Sequence, residues 1–152
     1  MTSVFLDTGY VIALEATDDQ YHDAAVQHWR GLTTQLPPLV TTSYVFDEVV
    51  TFFNSRNQHA KASEIGNRLL RSQTVQLVHV DQALFHDAWR YFTQHSDKSY
   101  SLTDCVSFMV MEQLGIRTAL ALTNTLSRQD LKNCLEPSIV PRTTNPNSSL
   151  ER

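Results

Sequence analysis

Short apolar runs alternate along the chain with longer stretches in which apolar residues return every three or four positions. The short runs are Ser3-Val-Phe-Leu6, Leu39-Val-Thr-Thr42, residues 75–80 and residues 118–122, and each reads as a buried strand. Residues 10–16 read as a short helix after the first strand. Asp18 and Asp19 are placed to cap a second helix that runs through Ala24, Ala25, Val26 and Trp29 to a stop at Gly31. Pro37-Pro38 breaks the chain, and Thr42 or Ser43 then caps a helix whose stripe is Val45, Phe46, Val49, Val50 and Phe53. Further helices are expected over 60–71, over 81–94 and from Leu102, where Val106, Met109, Val110 and Leu114 share a side and Gly115 follows the helix end. A turn or short helix near 126–131 and an edge strand near 138–140 complete the pattern. Strands alternating with helices predict α/β architecture with a mostly parallel sheet, whose functional site lies at the carboxyl ends of the strands.

Composition narrows the class. A length of 152 residues suits one domain, assigned to residues 1–140, and the polar stretch 141–152 reads as a disordered tail. Apolar residues at 41% and charged residues at 18% describe a globular protein, and only four glycines argue against a turn-rich all-β fold. The net charge of −4 argues against nucleic-acid binding by phosphate neutralisation alone, so any action on nucleic acid requires metal ions or a local patch. Cys105 and Cys134 form no paired motif, and the six histidines show no ligand spacing, so a zinc centre is not expected. With no basic leader before Asp7 and no apolar run of membrane-spanning length, the expected location is the cytoplasm.

Three acids stand where packing alone would not choose them. Asp7 directly follows the first buried strand, where a carboxylate needs partners once water is removed. Glu48 lies among Phe46, Val49, Val50 and Phe52; Asp47 beside it points about 100° away, so one acid can be solvated while the other faces inward. Asp104 occupies the first turn of an apolar helix, where the helix dipole alone would also favour an acid. If all three converge above one sheet edge, their mutual repulsion calls for protons or cations, and oxygen-only ligands suit Mg²⁺ or Mn²⁺.

Three segments carry a family likeness. Phe5-Leu-Asp-Thr-Gly-Tyr-Val-Ile-Ala-Leu14, Val40-Thr-Thr-Ser-Tyr-Val-Phe-Asp-Glu-Val49 and Tyr100-Ser-Leu-Thr-Asp-Cys-Val-Ser-Phe-Met-Val-Met111 resemble, in order and spacing, the acidic motifs of PIN-domain ribonucleases, in particular the VapC-type toxins of bacterial toxin–antitoxin pairs. The resemblance runs from about Val4 to Leu131. It implies a PIN-like three-layer sandwich with helices flanking a central parallel sheet, and a Mg²⁺- or Mn²⁺-dependent endoribonuclease. It also implies an RNA substrate, a small antitoxin partner and a homodimer. On this resemblance Asp7, Glu48 and Asp104 bind the metal and are catalytic. Thr8 and Ser101 match hydroxyl positions near the acids, with helix capping as their alternative role. Lys98 and Arg117 are candidates to attract a phosphate backbone, or are simply solvated charges.

One segment departs from the family pattern. Members often carry a fourth acid after the last of the four strands, whereas this chain reads Leu122-Thr-Asn-Thr-Leu126, with Asn124 or Thr125 in that place. An oxygen is kept and a charge is lost, which bears on a second metal and on rate. The competing reading is therefore a cleavage-impaired PIN-fold module that acts as an RNA or protein scaffold. An aspartyl phosphotransferase is disfavoured because Gly9 stands where a second acid is needed, and a dinucleotide enzyme because no Gly-rich fingerprint follows the first strand.

Overall fold

In the computed structural model, which describes residues 2–122, four parallel strands stand in the order β3-β2-β1-β4. They are β1 (Val4–Leu6), β2 (Leu39–Thr42), β3 (Val75–Val78) and β4 (Ala119–Leu120). Every residue of β1 and β2 is buried, as expected of strands covered on both faces. Phe5 aligns with Val40 on one side and Ala119 on the other, which makes β1 a central strand. β2 pairs with β3 over four residues, from Leu39 opposite Val75 to Thr42 opposite Val78.

Each crossover is a pair of helices. α1 (Thr8–Glu15) and α2 (His22–Leu32), with a 3₁₀ turn at Thr33–Gln35, join β1 to β2. α3 (Ser43–Asn54) and α4 (His59–Arg71) join β2 to β3, and α5 (Gln82–Gln94) and α6 (Leu102–Gln113) join β3 to β4. The core joins Phe5 and Leu39 from the sheet to Val45, Val49 and Phe53 of α3 and Val106, Val110 and Met111 of α6. The stripe read on α3 is thus the buried one, with Val50 and Phe46 at its margins. Among the described residues no buried side-chain nitrogen or oxygen lacks a hydrogen-bond partner. No described helix is long and apolar enough to cross a membrane.

Local chemistry sets several helix ends. Thr42 caps α3 by accepting from the Val45 N–H at 3.2 Å, and Asp81 caps α5 by accepting from the Leu84 N–H at 2.8 Å. Gly115 ends α6 with φ +65°, the left-handed conformation that a side chain disfavours. Two expectations need correction. Asp19 accepts from the Tyr21 N–H at 2.8 Å and so closes a turn two residues on, and α2 begins only at His22. Gly31 lies inside α2; the break comes later, at Leu36, whose extended backbone (ψ 121°) is what a following proline imposes. The turn near 126–131, the edge strand near 138–140, the tail and Cys134 lie outside the described residues.

Tyr10 of α1 and His28 of α2 are joined by a 2.7 Å hydrogen bond between the phenol oxygen and Nδ1, with the rings edge to face at 5.7 Å. Burial lowers the pKa of His28 from its ordinary value of 6.5. The folded protein therefore binds fewer protons than the unfolded chain on the acid side, so the stability tied to His28 is present above 6.5 and is lost as pH falls below it. The urea midpoint should fall between about pH 7.5 and about pH 5.5, and should fall less in His28→Gln than in the natural protein. Gly115→Ala should cost about 1 kcal/mol in the same denaturation experiment, because alanine must adopt the left-handed backbone.

Candidate active site

The carboxyl end of β1 is fixed from both sides. The Thr41 hydroxyl, fully buried on β2, donates to the Leu6 carbonyl at 2.8 Å, and the Asp7 N–H donates to the Leu120 carbonyl of β4 at 3.0 Å. Asp7 is thereby held at the end of a central strand, 8% exposed. It occupies the N-cap position of α1 with extended backbone, yet its side chain makes no capping hydrogen bond. The capping role is therefore not what places this carboxylate there.

Thr8, the first residue of α1, points its hydroxyl at the second acidic segment. Its Oγ1 donates to Glu48 Oε1 at 2.8 Å, across 40 residues of sequence. Glu48 is half-buried and Asp47 exposed, the division expected of neighbours about 100° apart on a helix. Thr8 is thus a partner of Glu48 and not a helix cap.

At the third segment the capping role is realised. Ser101 Oγ accepts from the Asp104 N–H at 3.0 Å, and Asp104 Oδ2 accepts from the Ser101 N–H at 3.0 Å, a reciprocal capping box on α6. Asp104 remains half-buried. The structure therefore joins Thr8 to Glu48 and Ser101 to Asp104. Among the described residues no three His, Cys, Asp or Glu side chains are arranged to hold a metal ion as they stand. Asn124 and Thr125 lie outside the described residues.

Nearby groups take other roles. Cys105 is fully buried, and burial first, then the charge of Asp104, pushes its thiol up to about 11, so it is not a thiolate at neutral pH. Lys98 sits 3.7 Å from Asp97, both exposed. Arg117 precedes β4, at the end of the parallel sheet opposite the one where Asp7 stands. In the sequence Thr41 reads only as a strand residue. Its signal, a hydroxyl in a wholly buried strand that must find a partner, was present but does not name the partner.

Comparison with known proteins is decisive for the family. A model of the PIN domain matches residues 4–125. The chain belongs to the PIN-domain family. Two relatives, both named 23S rRNA-specific endonuclease VapC20 and from Mycobacterium tuberculosis strains CDC 1551 / Oshkosh and ATCC 25618 / H37Rv, are 31% identical over 124 residues. Each alignment covers 82% of this chain and 92% of the relative. The crystal structure of M. tuberculosis VapC20, described as a sarcin–ricin loop cleaving toxin, superimposes with a TM-score of 0.72 at 30% identity, covering 80% of this chain and 91% of that one. The PIN fold expected from the three acidic segments is therefore the fold observed.

The capping box gives a direct test. Ser101→Ala removes the acceptor for the Asp104 N–H and should cost about 1 kcal/mol. Amide exchange at the first turn of α6 should accelerate accordingly, while amides at the start of α3 stay unchanged.

Proposed function

We propose that this PIN-domain chain is a metal-dependent endoribonuclease that hydrolyses RNA phosphodiester bonds as the toxin of a toxin–antitoxin pair. The observation that carries the reading is 31% identity, over 92% of their length, to relatives named as rRNA-specific endonucleases. The three acidic segments lie inside the region matched by the family model.

In this reading Asp7, Glu48 and Asp104 are the metal-binding and catalytic acids. Their donor chemistry, carboxylate oxygen throughout, is that of a Mg²⁺ or Mn²⁺ site. Glu48 and Asp104 each give one oxygen to an internal hydrogen bond and keep the other for an ion. When bound, a divalent ion supplies charge neutralisation at the phosphate and a water of lowered pKa. The chain's own contribution is positional. β1 fixes Asp7, the Thr8 hydroxyl holds one oxygen of Glu48, and the Ser101 N–H holds one oxygen of Asp104. Each bond restricts the rotamers of its carboxylate.

The partners follow the same reading: RNA as substrate, a small antitoxin, a second copy of the chain, and the cytoplasm as the place of action. A cleft of about 370 Å³ over the sheet, with Leu6, Leu14, Trp29, Leu39 and Ile65 in its walls and the Arg68–Glu15 ion pair (2.9 Å) beside it, supports docking of an apolar antitoxin segment. Phe85, Trp89 and Phe92, exposed at i, i+4 and i+7 on α5, support the homodimer. The scaffold reading is favoured by one observation, the missing charge at Asn124.

Cleavage decides between them. The natural protein should cut RNA with Mg²⁺ or Mn²⁺ and stop in EDTA. Asp7→Asn and Asp104→Asn should each abolish cutting while the melting temperature stays close to the natural value, because asparagine keeps an oxygen to accept the Ser101 N–H. RNA bound without cleavage under every metal condition would establish the scaffold. EDTA-resistant cutting by both variants would place the activity elsewhere.

A further inference from the structure

The site so far is wholly acidic, in a chain of net charge −4, yet the reading requires it to hold a polyanion. A bound divalent ion offsets part of that repulsion, and a side-chain cation flanking the acids would offset it along the rest of the strand. Of the basic residues already placed, Arg68, Arg90 and Lys98 are engaged with Glu15, Asp87 and Asp97. Residues 49–63, which continue from Glu48, contain no acid and hold Arg56, His59 and Lys61.

Arg56 is held in a defined place. Its guanidinium lies 3.5 Å from the centroid of the Phe52 ring, and Nη1 donates to the Phe52 carbonyl at 2.9 Å. Lys61 stands 5.2 Å from the ring of Phe53, which meets Phe52 edge to face at 5.1 Å. Neither cation has an acid within ion-pair range among the described residues, and Arg56 is exposed. Phe52 follows Glu48 by four positions, so the two share a face of α3, and the guanidinium rests on that ring. At 1.5 Å per residue the end of α3 at Asn54 lies about 9 Å along the helix from Glu48, and Arg56 stands in the turn that follows it.

We infer that the face of α3 running from Glu48 to Phe52, with Arg56 folded back onto Phe52 from the turn beyond, is a track for the RNA strand on one side of the scissile bond, with Arg56 gripping a backbone phosphate. The inference rests on the nuclease reading above. The planar guanidinium keeps most of its five N–H donors available, and stacking on Phe52 has already restricted the side chain, so less entropy is lost when a phosphate is bound. Phe52 is the platform that sets the height and plane of the fork. Lys61 adds charge from the first turn of α4.

The test is binding of a fluorescein-labelled single-stranded RNA oligonucleotide by anisotropy across a salt series, in the uncleaving Asp104→Asn protein, with cleavage kinetics in the otherwise natural chain. Arg56→Gln should weaken binding about 10-fold and lower the salt slope by about one. It should raise KM with little change in kcat. Phe52→Leu keeps the charge and loses the platform, so binding should weaken by about 3-fold with the slope preserved. Arg90→Gln, an equal loss of charge on α5, should change neither. If Arg56→Gln matches Arg90→Gln in affinity and slope while RNA is still cut, the track is wrong and the nuclease reading stands. If the natural protein neither binds nor cuts RNA with any divalent metal, both fall.

Discussion

Everything at this site depends on how the end of β1 is tied down. β1 is only three residues long, and beyond its pairing with β2 and β4 its carboxyl end is held by two hydrogen bonds, Thr41 to Leu6 and Asp7 to Leu120. The Thr41 bond is formed by a fully buried hydroxyl, so losing it would leave a buried polar group unsatisfied. The backbone of Asp7 is therefore as fixed as the sheet itself. The position of this acid is thus set without any loop.

The other acids are placed by different physics. Glu48 sits inside α3, so its Cα is set by the packing of Val45, Val49 and Phe53, and its head group by Thr8. Asp104 is placed by the start of α6, where the same carboxylate serves the helix end. A strand end, a helix interior and a helix cap thus each deliver one carboxylate. The three differ in rigidity: the sheet end is most constrained, and the cap is the one whose release costs only local hydrogen bonds.

The elements were legible where their signals are local. Buried strand runs, the Thr42 cap and the Gly115 stop are written in a few adjacent residues, and the division of labour between Asp47 and Glu48 follows from helix geometry alone. Failures came where a residue has two local uses. Asp19 can cap or turn, and it turns; Gly31 can stop a helix or sit within it, and Pro37 does the stopping. Long-range partners were not legible at all. Nothing in the sequence says that Thr8 bonds to Glu48 and not to its own helix, because that depends on how α1 and α3 are brought together. The family likeness carried what spacing could not.

The α3–α4 hairpin also links the evolution of two distant positions. A Cβ added at Gly66 would stand 3.1 Å from the tip of the Phe46 ring and 3.5 Å from Val50, whereas one added at Gly31 would meet nothing within 4 Å. The separation of the two helices is thus set by a side chain that is absent. Position 31 is free to drift. Positions 46 and 66 are coupled: bulk gained at 66 is met by a small shift of the Phe46 ring tip, by a smaller residue at 46, or by moving α4 away from α3 and carrying the basic end of the hairpin with it. Among descendants of this sequence, the pair should be inherited together as small-with-large or large-with-small.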